Sequence, residues 1–201
     1  MRRFGTQGRV YPDKHYVVAR AEETADFIDR HNFWYNRHMP RKNKILNIGD
    51  TAPLFTLPSH QRKNVSLEAY QNAHHVVLTF FRGTWWPNSR RQLSAVQENI
   101  ETYETYTATP LAIAGQWPRE FRGFVEKNGI TYPLLVDKTR EVIKSYGVYH
   151  WLSLDAYNIA RPATFIIDKT GIIRYMYIGS HQFDLVNPSE ILEALKAVAG
   201  L

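Results

Sequence analysis

Residues 84–90 read T-W-W-P-N-S-R, and the residue types in that stretch decide which chemistry is open to it. Ser89 brings a hydroxyl, which becomes a nucleophile only beside a general base. No G-x-S-x-G turn surrounds Ser89, and none of the eight histidines lies near it in sequence. Its expected role is a local hydrogen bond in the first turn of a helix. Trp86 brings an indole, which is large and apolar and has no nucleophilic or redox role expected here. The chain contains no cysteine. That excludes disulfides, thiolate metal sites and every cysteine-nucleophile mechanism.

The histidines do not assemble a metal site by spacing. His74 and His75 precede an apolar run and point to opposite faces of a strand. His31 and His38 are seven residues apart on a predicted helix, but no carboxylate partner can be named for them. Neither a metal nor a cofactor is expected. Tyr146, Tyr149, Trp151 and Tyr157 form an aromatic-rich segment ahead of Pro162, suited either to a partner surface or to core packing.

The elements that must position these residues follow from hydrophobic period and punctuation. Residues 76–81, V-V-L-T-F-F, have the β-branched and aromatic character of a strand buried on both faces. Residues 87–106 are expected to be helical, with Pro87 in the first turn and Leu93, Val96 and Ile100 on one stripe. Residues 111–114 form a second buried strand. A helix spans 118–128, opened by Pro118 and stopped before Gly129. A short strand at 134–136 and a short helix at 139–146 come next. Strands at 163–168 and 172–178 flank Asp168-Lys169-Thr170-Gly171 as a hairpin. An amphipathic helix from Pro188 to about Val198 closes the chain. Strands alternating with helices and ending in a hairpin make a mixed α/β sheet with helices on both faces.

Residues 1–46 differ in character from the remainder. Residues 1–50 hold ten Lys/Arg and six Asp/Glu, which is +4 of the formal net charge of +6. A helix is expected at 21–36, running into Phe33-Trp34-Tyr35, and three consecutive aromatics cannot share one helical face. The reading is a basic, partly helical N-terminal extension that caps its own domain or serves as a docking or dimer arm. The main domain is 47–201. So modest a charge excess argues for a solvated surface and against a nucleic-acid partner. No apolar run approaches the ~18 residues of a membrane span, and no apolar segment follows the basic N-terminus, so the expected location is the cytoplasm.

The element order resembles the thioredoxin fold. Four stretches resemble more closely the alkyl hydroperoxide reductase/thiol-specific antioxidant family of peroxiredoxin-like redoxins. Residues 48–57, I-G-D-T-A-P-L-F-T-L, match the family opening G-x-x-A-P-x-F-x-L. Residues 80–93, F-F-R-G-T-W-W-P-N-S-R-R-Q-L, match F-F-R-G-x-W-C-P-x-C-R-R-Q-L. Residues 162–168 match the proline-plus-strand segment, and 168–174 its hairpin. The resemblance implies a redox motif at Trp85, Trp86, Pro87 and Ser89, with Trp86 and Ser89 standing where relatives carry their attacking and resolving cysteines. A thiolate at a helix N-terminus is favoured by the helix dipole and attacks a peroxide oxygen or a disulfide sulfur. The resemblance also places Pro162 at the cis-proline position opposite that motif. Typical peroxiredoxins hold a peroxide-binding arginine two residues before the Thr of this strand. Here that slot is Pro162, with Arg161 one step earlier, a pattern closer to the thioredoxin-like branch.

Two functional readings result. In the first, the chain is a degenerate redox-family member without thiol chemistry. In the second, it is a binding or scaffold module whose former active-site face contacts a protein partner or a second copy of the chain. The candidate surface is Thr84, Arg90, Tyr149, Trp151 and Arg161, together with the N-terminal extension. A third reading lies in the gene, because the tryptophan codon is one base from the cysteine codons and from UGA. The coding DNA at position 86 decides it.

Overall fold

The structure, a computed structural model, describes residues 46–152 and 157–201. The expected helix at 21–36 and the rest of the extension lie outside the described residues.

Five strands form the central sheet in the spatial order β5-β4-β3-β8-β9. They are β3 (His75–Phe80), β4 (Ala108–Ala114), β5 (Leu134–Val136), β8 (Ala163–Ile167) and β9 (Ile173–Ile178). The strands β3, β4 and β5 run parallel, and β8 and β9 add antiparallel. Every residue of β3 is buried, the polar His75 and Thr79 included, as a central strand covered on both faces requires. Side chains alternate between the faces. Val77, Ala112, Leu134 and Ile166 belong to one core cluster, and Val76, Leu78, Phe80, Leu111, Ile113 and Phe165 to the other.

The helices α1 (Pro87–Glu98), α2 (Ile100–Thr105), α3 (Pro118–Asn128) and α5 (Pro188–Ala199) supply Leu93, Val96, Tyr103, Phe121 and Ile191 to the first cluster. The short helix α4 (Glu141–Ser145) and the segment before β3 cover the second face, through Ile143, Phe55 and Leu67. That segment contains a small hairpin of β1 (Thr56–Pro58) and β2 (Asn64–Ser66), tied to the edge strand by the Ser59–Leu135 bridge. A second small hairpin pairs β6 (Tyr149–Leu152) with β7 (Tyr157–Ala160).

Two expectations are corrected here. The single helix at 87–106 is two helices, because Asn99 leaves helical geometry (φ −107°, ψ 17°). The Asn99 Nδ2 donates to the Ala95 carbonyl at 2.8 Å, the local side-chain bond by which asparagine competes with the helical ladder. The Arg161–Pro162 peptide is trans, since no cis peptide bond occurs among the described residues. Pro162 immediately precedes β8, where a proline's missing N–H costs nothing. Its carbonyl accepts the Gly179 N–H at 2.8 Å, and the Arg161 N–H is used by the Val148 carbonyl at 2.7 Å.

Candidate functional site

The end of β3 hands the chain directly to α1 through residues 81–86. A turn closed by Trp86 N–H on the Gly83 carbonyl (3.1 Å) places Trp86 at the N-cap and Pro87 at the first helical position. The N-cap residue offers no side-chain oxygen to the first turn. The helix therefore starts with uncapped N–H groups facing the loop.

A buried polar clamp holds this loop. The Thr84 N–H donates to Gln116 Oε1 at 2.7 Å, and Gln116 Nε2 donates back to Thr84 Oγ1 at 2.7 Å. Thr84 Oγ1 donates in turn to the Glu120 carbonyl at 3.2 Å. Arg90 Nε reaches back one turn to the Thr84 carbonyl. The absence of a side chain at Gly83 is required by its neighbours. A Cβ there would lie 2.4 Å from Trp85 Nε1 and 2.8 Å from Gln116 Oε1.

Side chains fill the space in front of the helix. The Arg82 guanidinium, only 4% exposed, lies 4.7 Å from the centroid of the Trp86 ring and 5.4 Å from that of Trp85. Its Nη1 donates to Gln182 Oε1. Trp86 packs against Trp85 (5.8 Å, edge-to-face) and Phe183 (5.9 Å). The Trp86 Nε1–H is buried without an acceptor. Trp85 and Phe183 remain 48% and 62% exposed, so the outer side of the cluster is an aromatic surface. Ser89 is buried, and no hydrogen bond joins it to a histidine or a carboxylate among the described residues.

The segment 180–184 that carries Gln182 and Phe183 is anchored by Asp184. Its carboxylate accepts from the Ser180 N–H (2.7 Å), the Ser180 hydroxyl (2.8 Å) and the Tyr177 hydroxyl. Burial alone would raise the Asp184 pKa, but these bonds outweigh it and hold the carboxyl below its ordinary 3.8. Behind Pro162, Arg161 donates through Nε (3.0 Å) and Nη2 (2.5 Å) to the Gly179 carbonyl. His150 on the rim is pushed below the ordinary imidazole value by loss of water, then by the positive charges of Arg161 and Arg82.

The residues singled out in the sequence divide. Trp85, Trp86, Pro87 and Ser89 do sit together at a helix N-terminus after a buried strand. Arg90 is exposed beside them, and Tyr149 is half-buried in β6. Thr84 is corrected as a surface residue: it is buried because its hydroxyl and amide are spent on Gln116 and Glu120. Tyr146 is core, packed against Phe80 and Phe165. The side chains of Trp151 and Tyr157 lie outside the described residues. Arg82, Gln116, Phe183 and Asp184 were missed. Arg82 lay inside the matched F-F-R-G run, yet nothing in sequence marks an arginine as buried under two indoles. The other three have no local signature.

The AhpC/TSA family model matches residues 48–176. The chain belongs to the AhpC/TSA family. Alkyl hydroperoxide reductase E of Mycobacterium tuberculosis is 32% identical over 133 residues, covering 65% of this chain and 84% of that protein. The thiol-disulfide oxidoreductase ResA of Geobacillus thermodenitrificans is 28% identical over 134 residues, covering 66% and 70%. Among solved structures, peroxidoxin BcpB of M. tuberculosis superimposes with a TM-score of 0.69 at 23% identity, over 77% of this chain and 99% of that one. The reduced 2-Cys peroxiredoxin of Plasmodium vivax gives 0.68 at 18% identity, over 78% and 83%. This AhpC/TSA chain therefore has the thioredoxin-like fold of the peroxiredoxins without a cysteine anywhere in it. No helix among the described residues is long and apolar enough to cross a membrane.

Proposed function

We propose that this chain is a non-thiol member of its family, a peroxiredoxin-like scaffold that no longer reduces peroxides or disulfides. The observation that supports this most is the filled motif. An indole occupies the helix N-terminus where the resemblance puts an attacking thiol, and it is packed on Arg82, Trp85 and Phe183. A helix N-terminus and a guanidinium would stabilise a thiolate, but an indole has no anion to stabilise. Ser89 offers no substitute. A buried hydroxyl with no base bonded to it is a poor nucleophile, and it lacks a mild two-electron oxidation cycle. The test is reduction of insulin disulfides under dithiothreitol by the unaltered chain. The expected rate equals that of dithiothreitol alone, and catalysis above it would contradict the reading.

A second reading is favoured by the exposure of Trp85 and Phe183. Two large aromatic side chains about half exposed, beside Trp86 and with His181 against Phe183, have the composition of an interface anchor. In that reading the former active-site face binds a protein or a second copy of the chain, with residues 1–46 as an additional arm. Sedimentation velocity on the unaltered chain and on a Trp85→Ala/Phe183→Ala variant tests the second-copy form. A dimer lost in the variant supports it, and an unchanged sedimentation coefficient counts against it.

A further inference from the structure

Away from the redox face, a groove of about 640 Å³ opens between the β1–β2 turn, the first turns of α3 and the loop after β5. Arg62 stands on one wall, Arg119 and Arg122 on the second and Lys138 on the third, and Glu126 is the one carboxylate in the lining. The carboxylate of nearby Glu120 accepts the Trp117 N–H at 3.2 Å, closing the start of α3. None of the four cations is ion-paired to a carboxylate among the described residues. An aromatic ring projects into this charge: Trp117 lines the groove, is 51% exposed, and carries Lys138 Nζ 3.7 Å from its ring centroid.

The groove has a fixed floor. His60 is held to the edge strand by its N–H on the Leu134 carbonyl (2.9 Å) and by its Nδ1, which accepts the Leu134 N–H (3.1 Å). An Nδ1 that accepts a backbone N–H puts the imidazole proton on Nε2, so His60 presents a neutral N–H donor. Its loss of water acts in the same direction, keeping the ring uncharged. Arg119 and Arg122, three apart on α3, stand on neighbouring positions of one helix face.

We infer that this groove binds a phosphorylated nucleotide, with its phosphates on Arg62, Arg119, Arg122 and Lys138 and its base on the Trp117 indole. Arginine forks match phosphate oxygens bidentately, and four cations without a carboxylate partner on three walls suit a ligand with several phosphate oxygens better than a single carboxylate. An exposed indole supplies a flat face that accepts any base. The volume lies within the ~300–1,000 Å³ of small-ligand sites. The excess of cations belongs to no single sequence run. It arises where three separate segments meet, so the modest charge excess along the chain gives no warning of it. The inference is independent of whether the redox motif is silent.

Titration calorimetry on the full chain at low salt tests this with three probes: ATP, inorganic tripolyphosphate and a short single-stranded oligothymidylate. ATP is expected to bind and to weaken as salt is raised. Arg119→Glu/Arg122→Glu, two exposed positions whose variant is checked for folding by near-ultraviolet circular dichroism, should weaken ATP at least tenfold. Arg62→Glu on the opposite wall should do the same. Trp117→Ala should weaken ATP roughly 5- to 150-fold and leave tripolyphosphate unchanged, the range expected for losing one stacked base. Oligothymidylate bound more tightly than ATP, with the same loss in the variants, supports the site with a nucleic-acid strand as the source of the nucleotide. Three results overturn the inference: no heat with ATP or the oligonucleotide, binding unchanged in both charge variants, or ATP binding indifferent to Trp117→Ala.

Discussion

Putting the thiols back is the sharpest perturbation of the redox motif: Trp86→Cys with Ser89→Cys. Position 86 is the N-cap of a 12-residue helix and position 89 the third residue of its first turn. The two new thiols would be one turn apart, the spacing of a Cys-x-x-Cys pair. The thiol at 86 would face uncapped helical N–H groups, on a loop whose Arg82 guanidinium now lies 4.7 Å from the centroid of the indole being removed. Two unit charges ~5–8 Å apart interact by ~2–3 kcal/mol at an effective dielectric of 20, an upper bound that water reduces. Together with the helix terminus, this should bring the thiol from ~8.5 into the ~3.5–7.5 range of activated cysteines. The cost is packing. Trp86 is half-buried, so losing it should cost about half of the ~3–5 kcal/mol of a fully buried tryptophan, or ~2 kcal/mol. Rates of iodoacetamide alkylation against pH give the thiol pKa, and intact mass after mild oxidation detects the internal disulfide. The expected outcome is a folded protein, somewhat less stable, with an acidic thiol, a reducible disulfide and weak peroxide activity. A folded double variant whose thiols titrate near ~8.5 and never join would refute the reasoning, because the segment would then lack the electrostatics of a redox helix N-terminus.

Replacing the buried Arg82 by Leu should cost about 2–3 kcal/mol, through the bond to Gln182 and two cation–π contacts, and lower the melting temperature by ~4–12 °C. Lysine should not restore it, because a point charge cannot stack between two indoles. Gly179→Ala should destabilise by about 3 kcal/mol, since its Cβ would fall 2.2 Å from the Asp184 carbonyl oxygen, a backbone atom that cannot swing aside. Thermal denaturation reads both. Asp184→Asn should cost about 1 kcal/mol at pH 7, part of it returned by solvent at this partly exposed site. Because the folded pKa of Asp184 is depressed, its contribution is present above 3.8 and is lost as the pH falls through the folded value. Urea melts of parent and variant should therefore differ at pH 7 and converge once the pH has fallen through the depressed folded value.

Much of the fold was legible because its strands are unambiguous. The runs at 76–81 and 111–114 are almost wholly apolar and lie within or overlap β3 and β4, and α3 begins at Pro118 and stops before Gly129, which takes the left-handed conformation (φ +59°). The small hairpins β1–β2 and β6–β7 were not legible, because three- and four-residue strands carry too few positions to show a period. The break at Asn99 is a single side-chain bond inside a periodic stripe and leaves that stripe intact. For the site, the motif residues were readable as types but their surroundings were not. Gln116 is 32 residues from Thr84 and Gln182 is 100 from Arg82, so only the sheet's closure brings them together. The expected cis bond at Pro162 came from resemblance alone. The local hydrogen bonds of Arg161 and Pro162 are satisfied with the peptide trans.

The central claim is that the family's fold persists here without its chemistry. The measurement that bears on it most directly is steady-state consumption of hydrogen peroxide and of an organic hydroperoxide by the unaltered, cysteine-free chain, with thioredoxin and its reductase as electron source. The account predicts a rate equal to the protein-free blank at every enzyme concentration. A rate that rises in proportion to the chain and is lost on heat denaturation would contradict it.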